Sequence, residues 1–266
     1  MNTVMELGTV STASLVGMVF SFIISLGTPI VLFILARKKL KASGMAFVIG
    51  AAVFVVFALV LESLLHSVVL TATGTLLTDN IVLYGLYGGL AAALFEETGR
   101  LIAMKFYMKK TLNRENSVMY GIGHGGIEAI LLVGLTYVSN LLSAVMINSG
   151  ALQASMDLLD DATKQTTLEQ LKVLWETPAW QFYIAGVERA IAITLQIALS
   201  VIVYKVVAAK NRTYWFIAFA IHFAVDFATV VIMGLGAPVW LVEVLLLAAV
   251  VFVARYAYNL YKEETV

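Results

Sequence analysis

Long apolar blocks separated by short polar stretches dominate the hydrophobic pattern of this 266-residue chain. Apolar blocks of about 18 or more residues with few charges are typical of helices that cross a bilayer. At a rise of about 1.5 Å per residue, each block is long enough to cross a hydrocarbon core of roughly 30 Å. We therefore predict an all-α, polytopic membrane helix bundle that forms a single integral membrane domain over residues 1–266. Its seven predicted transmembrane helices cover residues 11–36, 44–70, 81–108, 117–147, 180–208, 212–234 and 238–261.

A polar segment, residues 148–179, separates the fourth and fifth predicted spans. It mixes acidic and basic residues, and it also has an apolar side. That side consists of Leu168, Leu171, Val173, Leu174 and Trp175. This amphipathic pattern predicts a segment that lies along the extracytoplasmic membrane surface.

The distribution of lysine and arginine predicts the orientation. If the N-terminus lies outside and the C-terminus lies in the cytoplasm, only Lys164 and Lys172 among the loop lysines and arginines fall outside. Such a bias in short loops follows the positive-inside rule. The first apolar block begins after Glu6 and ends in Arg37-Lys38-Lys39, the reverse of the charge order in a signal peptide. We therefore expect it to remain as a helix.

The amino-acid composition excludes several kinds of functional site. Hydrophobic residues make up 61% of the chain and charged residues only 13%, whereas soluble domains average about a quarter charged. The chain has no cysteine, which excludes disulfides, thiolate metal sites and a cysteine nucleophile. No basic or aromatic-rich stretch indicates a nucleic-acid partner.

Ionisable side chains lie inside the predicted spans, where a charge at the bilayer centre costs about 3 kcal/mol unless it is paired, hydrated or bound to an ion. We expect them to face the bundle interior and to contact one another. They are Glu62, His66, Glu96, Glu97, Arg100, His124, Glu128, Glu188, Arg189, His222, Asp226 and Glu243. For Glu62, His66, Glu188 and Arg189 we expect ion pairs between helices.

Three groups of these residues are spaced three or four apart, so that their side chains share one face of a helix. Arg100 follows Glu96 by four residues and Glu97 by three, so it can reach either carboxylate. His124 and Glu128 are four residues apart, and His222 and Asp226 repeat that spacing. At about 1.5 Å per residue from the cytoplasmic ends, His124 lies about 11 Å deep, His222 about 15 Å and Glu96 about 20 Å. The clusters can therefore form one site.

The two His-x-x-x-carboxylate pairs allow three interpretations. Imidazole and carboxylate on different helices suit a zinc site with an open position for water. In a second interpretation, each carboxylate accepts a hydrogen bond from its histidine and so orients the ring without contacting the metal. In a third, each histidine is an ordinary buried side chain bonded to a backbone carbonyl. Glycines around His124, namely Gly121, Gly123, Gly125 and Gly126, predict close approach of helix backbones there.

At these motifs the sequence resembles the YhfC family of intramembrane metalloproteases, relatives of the CAAX-processing, bacteriocin-processing and PrsW proteases. The motifs are Glu96-Glu97-x-x-Arg100, Gly121-Ile-Gly-His124-Gly-Gly-Ile-Glu128 and His222-x-x-x-Asp226, and Glu188-Arg189 and Ser200-Val201 also resemble the family. The CAAX-type pattern has three residues between the glutamate pair and arginine, and here there are two. Gln196 stands where a histidine is expected.

The resemblance implies a multi-pass hydrolase of a bacterial plasma membrane that cleaves a membrane protein or peptide. It implies a glutamate that activates water, for which we expect Glu96, with Glu97 as the partner of Arg100. The metal, expected to be zinc, would be bound by His124, Glu128, His222 and Asp226. From the residues alone, a proton-coupled or metal-coupled transporter or channel remains an alternative, because buried Glu, His and Asp also form ion relays. A non-catalytic membrane chaperone or immunity protein with the same fold is another.

Overall fold

The computed structural model describes residues 7–263, and every regular element in that range is helical. The predicted all-α fold is thereby confirmed. Residues 1–6 and 264–266 of the predicted domain lie outside the described residues. The α-helices are α1 (Thr12–Leu35), α2 (Gly44–Phe54), α3 (Ser63–Thr73), α4 (Ile81–Ile102), α5 (Arg114–Ala129), α6 (Leu135–Asn148), α7 (Ala151–Met156), α8 (Asp161–Leu171), α9 (Val173–Glu176), α10 (Ala179–Ala208), α11 (Thr213–Gly234) and α12 (Val239–Lys262).

Several helices continue directly into π-helical turns. Ala36–Leu40 follows α1, Val55–Glu62 joins α2 to α3, Ala103–Tyr107 follows α4, and Ile130–Gly134 joins α5 to α6. A π turn holds an extra residue, so it rotates the side chains that follow it relative to an unbroken α-helix. Such turns occur often at functional sites, and two of these flank helices that carry the predicted motifs.

Six helical runs within residues 7–263 are long and apolar enough to cross a membrane. They are Thr12–Leu40, Gly44–Thr73, Arg114–Asn148, Ala179–Ala208, Thr213–Gly234 and Val239–Lys262. The seventh predicted span, 81–108, is also a helix, α4 with its π turn. It is not one of the six, and it carries Glu96, Glu97, Arg100 and Lys105.

Short polar side chains cap the starts of α2, which packs against the site, and of α4, which carries part of it. The Ser43 hydroxyl accepts a hydrogen bond from the Met45 amide at the start of α2. The Asn80 side chain accepts from the Val82 and Leu83 amides, both at 3.1 Å, at the start of α4. These contacts satisfy amide groups that have no partner inside the helix. They set where each helix begins and hence which residues face inward.

The chain packs as two compact units. The small unit holds the described residues up to Leu26 together with Ile130–Arg189. The large unit holds Gly27–Ala129 together with Ala190 to the end of the described chain. The predicted catalytic and metal-binding residues all lie in the large unit.

The small unit contains the amphipathic segment as α7, α8 and α9. Its core consists of Val10, Met18, Tyr137, Ala144, Ile147, Leu174 and Phe182. Within the predicted apolar side, Leu168 and Leu174 are buried, whereas Val173 is half exposed. The Asn148 side chain bonds both the amide and the carbonyl of Val10, at 2.9 and 2.8 Å. This pair of bonds ties the chain that precedes α1 to the end of α6.

In the large unit, α2 packs along α5, and α4 packs along α11. A Cβ atom on Gly123 would collide with the carbonyl oxygen of Phe47, and one on Gly50 would collide with the carbonyl oxygen of Tyr120. Both obstacles are backbone atoms, so they cannot move without separating the two helices. The glycines therefore permit the close crossing that brings α5 and its histidine into the core.

Candidate active site

Helix α4 carries the first part of the site at its buried face. The side chains of Glu97 and Arg100 are fully buried, and Glu96 is only 7% exposed. Adjacent residues on a helix diverge by about 100°, so Glu96 and Glu97 face different neighbours. The structure accordingly gives the two carboxylates different partners.

Glu97 pairs with Arg100 through two hydrogen bonds. Arg100 Nε donates to Glu97 Oε2 at 3.0 Å, and Arg100 Nη2 donates to Glu97 Oε1 at 3.2 Å. The remaining donors of the guanidinium reach the Gln196 backbone oxygen at 3.1 Å, and the Gln196 side-chain oxygen and the Ser200 hydroxyl at 2.5 Å. A bidentate pair with the other donors also bonded is the arrangement that a buried arginine requires. Glu97 is thus committed to holding Arg100.

Glu96 pairs with His124 on α5. Its Oε2 lies 2.8 Å from His124 Nε2, and it also accepts a hydrogen bond of 3.0 Å from the Gln196 amide. The other ring nitrogen of His124, Nδ1, is buried and has no hydrogen-bond partner among residues 7–263. The His124 ring lies between Phe54 and Tyr120, with ring centroids at 5.3 and 6.0 Å. These contacts fix the plane of the imidazole beside the Glu96 carboxylate.

Gln196 on α10 links the two carboxylates of this centre. Its amide nitrogen donates to Glu96 and also to Glu128, the latter at 3.2 Å. Its oxygens hold Arg100, so one side chain and its own backbone contact Glu96, Glu128 and Arg100 together. The sequence predicts no metal-binding role for Gln196, and it did not reveal these contacts. The available signal was an amide side chain inside a predicted span, seven residues after Arg189.

Close approach of α5 and α10 makes the Gln196 contacts possible. A Cβ atom on Gly125 would lie 2.9 Å from Gln196 Cβ and 3.0 Å from Ile193 Cα. One on Gly121 would lie 2.5 Å from Ile197 Cα. All three distances are shorter than ordinary carbon contacts, so the two glycines allow the helices to touch, as their sequence pattern predicts.

His222 on α11 contacts the other carboxylate of the pair. Its Nδ1 lies 2.8 Å from Glu97 Oε1, and its Nε2 lies 3.5 Å from Asp226 Oδ2. The spacing of four residues therefore places His222 and Asp226 side by side, as is expected for residues i and i+4 of a helix. His124 and His222 bind different members of the Glu96–Glu97 pair. The structure thus brings all the predicted site residues into two linked networks.

A further polar cluster lies where α3 begins. Glu62 Oε1 is 3.1 Å from His66 Nε2, and His66 Nδ1 is 2.8 Å from the Tyr87 hydroxyl of α4. Glu188 forms an ion pair with the neighbouring Arg189. Both of these ion pairs join residues of the same helical run. Ion pairs between helices for Glu62, His66, Glu188 and Arg189 stay a prediction.

The donor set suits a divalent metal by its chemistry, since imidazole and carboxylate are common zinc ligands. Among the described residues, however, no three His, Asp or Glu side chains gather as a metal-binding group. The donors come together as pairs, Glu96 with His124 and His222 with Asp226, and Glu128 reaches the first pair through Gln196. Arg100 engages both oxygens of Glu97, so that carboxylate is the least suited to binding a metal.

The model of the family described as YhfC intramembrane metalloprotease matches residues 23–251. This chain belongs to the YhfC family. A relative from Bacillus subtilis (strain 168), named "Uncharacterized membrane protein YhfC", is 37% identical over 214 residues, which cover 80% of this chain and 81% of that protein. No solved structure matches the chain. The YhfC match includes every residue of the two networks, and the predicted resemblance to this family is confirmed.

Proposed function

We propose that this YhfC chain is an intramembrane endopeptidase that cleaves a peptide bond of a membrane-associated protein or peptide. The family's description as a metalloprotease supports the reaction class. The observation that carries the proposal is that the two adjacent glutamates have different hydrogen-bond partners. Arg100 engages Glu97 through two hydrogen bonds, whereas Glu96 contacts an imidazole and an amide.

That division supports Glu96 as the general base. A carboxylate bound by two N–H donors of an arginine is a poor proton acceptor, because the proton would have to displace the ion pair. Within residues 7–263 no arginine is bonded to Glu96, and the Gln196 amide holds it in one orientation beside His124. General bases need this kind of fixed position within hydrogen-bond reach of the water.

In the proposed reaction Glu96 takes one proton from a water molecule beside His124. The water oxygen bonds to the carbonyl carbon of the substrate, the C–N bond breaks, and Glu96 returns the proton to the leaving amine. The Glu97–Arg100 pair keeps its charge throughout and holds α4 against α10. Burial of these groups limits access of bulk water and strengthens their electrostatic interactions.

The family description implies a divalent metal, and we propose zinc because both ring nitrogens and carboxylates bind it well. The proposed ligands are His124, Glu128, His222 and Asp226. When bound, the metal would lower the pKa of a water molecule to near neutral. His124 is the best supported of these ligands, because its Nδ1 has no partner among residues 7–263.

For the membrane arrangement we propose seven spans in a bacterial plasma membrane, with α4 and its π turn as the third. The N-terminus would lie outside and the C-terminus in the cytoplasm. Pairing of Glu97 with Arg100 supports burial of α4 in a membrane, because it reduces the charge that lipid would have to accommodate. The site would then lie nearer the cytoplasmic leaflet, with helices α7 to α9 on the outer surface.

Cleavage of membrane peptides in reconstituted liposomes tests the function. Purified protein is incubated with single-span peptides in H₂¹⁸O, and the products are identified by mass spectrometry. We expect new carboxyl termini that contain one ¹⁸O atom, and loss of product after treatment with a metal chelator. Liposomes that show proton or metal-ion flux without any cleavage would contradict the proposal and favour a transporter. Intact peptides without flux would favour a non-catalytic chaperone or immunity protein.

A further inference from the structure

A cavity of about 510 Å³ lies in the large unit where three helix ends meet, and no residue of the two networks lines it. The end of α4 contributes Leu101, and its π turn contributes Lys105. The end of α10 contributes Val207, and the start of α11 contributes Phe216. The cavity therefore has apolar walls formed by membrane-spanning helices.

The mouth of this cavity is basic. Lys105, Lys210 and Arg212 line it, and no aspartate or glutamate does. Within residues 7–263 none of the three forms an ion pair with a carboxylate, and Lys105 Nζ lies 5.4 Å from the centre of the Phe106 ring. Three positive charges around one opening repel one another and create a field that attracts an anion.

Trp215 forms an aromatic part of the wall of the same cavity. Its ring lies beside that of Phe216, with ring centroids 5.1 Å apart. Tryptophan is typical of the headgroup level of a membrane. The cavity thus combines positive charge with an aromatic wall.

We propose that this cavity binds the phosphate headgroup of an anionic phospholipid. The basic mouth fits the phosphate, and the apolar walls fit the first part of the acyl chains. Phe216, which is 63% exposed, extends that apolar surface toward the lipid. On the predicted topology the three cations lie at the cytoplasmic surface, where anionic lipids attract basic residues.

The site has a direct connection to the candidate active site. Leu101 follows Arg100 on α4, so a lipid packed against Leu101 would steady the same helical turn that holds Glu97. Occupancy would therefore stabilise the folded protein. This effect does not depend on whether the protein cleaves peptides.

Thermal unfolding of the full-length protein in detergent tests the proposal with three additives. They are phosphatidylglycerol, phosphatidylcholine with the same acyl chains, and inorganic phosphate. We expect phosphatidylglycerol to raise the melting temperature by several degrees and the other two to leave it unchanged. A rise with inorganic phosphate alone would mean that the site binds a free anion, and an equal rise with phosphatidylcholine would mean that charge is not recognised. Either result overturns the proposal.

A variant with a matched control locates the binding. The triple variant Lys105→Gln, Lys210→Gln and Arg212→Gln should bind phosphatidylglycerol about tenfold more weakly, counted as bound lipids by native mass spectrometry. The control Lys38→Gln, Lys39→Gln and Lys109→Gln removes three exposed charges outside the cavity and should bind as wild type does. Equal weakening in both would overturn the site. If the triple variant does not fold, the single variants Lys105→Gln and Arg212→Gln replace it, and unchanged lipid binding by both overturns the proposal.

Discussion

At the residue scale, the site depends on how two adjacent carboxylates are separated. One residue of helical rotation points Glu96 toward His124 and Glu97 toward Arg100 and His222. The sequence indicates that both glutamates lie within reach of Arg100, and spacing alone cannot choose between them. The choice depends on Gln196 and Ser200 of α10, which position the guanidinium.

Substitution of Glu97 tests its role as the partner of Arg100. Glu97→Gln leaves a fully buried arginine without its carboxylate, and breaking a buried pair in this way costs about 3–5 kcal/mol. We expect a large decrease in the free energy of unfolding, measured by denaturant titration in detergent. The control Glu176→Gln, at an exposed position of α9, should unfold as wild type does. A Glu97→Gln protein of unchanged stability would mean that the ion pair is not structural.

The contacts of Gln196 and Tyr87 could not be predicted from the sequence, and the physical reason is the same for both. Gln196 is uncharged, so its presence in an apolar span does not signal a cost as a glutamate does. Its importance comes from long-range contacts to α4 and α5, which local spacing cannot encode. Likewise, the Tyr87 hydroxyl bonds His66 across 21 residues of sequence.

At the element scale, the lengths of the apolar blocks were sufficient to predict the long helices. Six predicted spans match the helical runs from Thr12–Leu40 to Val239–Lys262 within a few residues at each end, and the seventh, 81–108, matches α4 with its π turn. The π turns could not be predicted, because an inserted residue changes the register of a helix without changing its composition. The run from α2 to α3 shows the effect, since Val55–Glu62 ends at the acidic residue that meets His66.

The α2–α5 crossing yields a prediction about helix packing. Gly123→Ala would place a methyl group against the Phe47 carbonyl oxygen, and overpacking of this kind costs about 1–3 kcal/mol. Gly88→Ala is the matched control on α4, because no atom lies within 4 Å of the added carbon there. We expect a lower melting temperature for Gly123→Ala, and an unchanged or slightly higher one for Gly88→Ala because alanine favours helix. Equal melting temperatures for the two variants would show that α2 and α5 do not cross as closely as described.

At the scale of the whole molecule, the division into two compact units was not visible in the sequence. The boundaries at Leu26 and Arg189 fall inside α1 and α10, so no linker, proline-rich stretch or change of composition marks them. Domain boundaries are usually recognised by such linkers. Membership in the YhfC family, by contrast, follows from three short motifs in order, and all of them lie in the large unit.

The proposed topology predicts which introduced cysteines a membrane-impermeant reagent can reach. Because the chain has no native cysteine, each introduced one reports a single position. Lys39→Cys and Lys110→Cys, both at exposed positions, should be labelled only after the membrane is opened. Gln165→Cys, at an exposed position of α8, should be labelled in intact cells. Labelling in the reverse pattern would invert the orientation, and labelling of Lys39→Cys and Lys110→Cys on opposite sides would change the number of spans between them.

The most direct test of Glu96 as the general base is peptide cleavage by the Glu96→Gln variant in liposomes, beside wild type and Glu176→Gln. Loss of a general base lowers the rate by about 100-fold or more. We predict that Glu96→Gln loses cleavage to that extent while its helix content and melting temperature stay near those of wild type, and that Glu176→Gln cleaves normally. Cleavage by Glu96→Gln at near the wild-type rate would contradict the account.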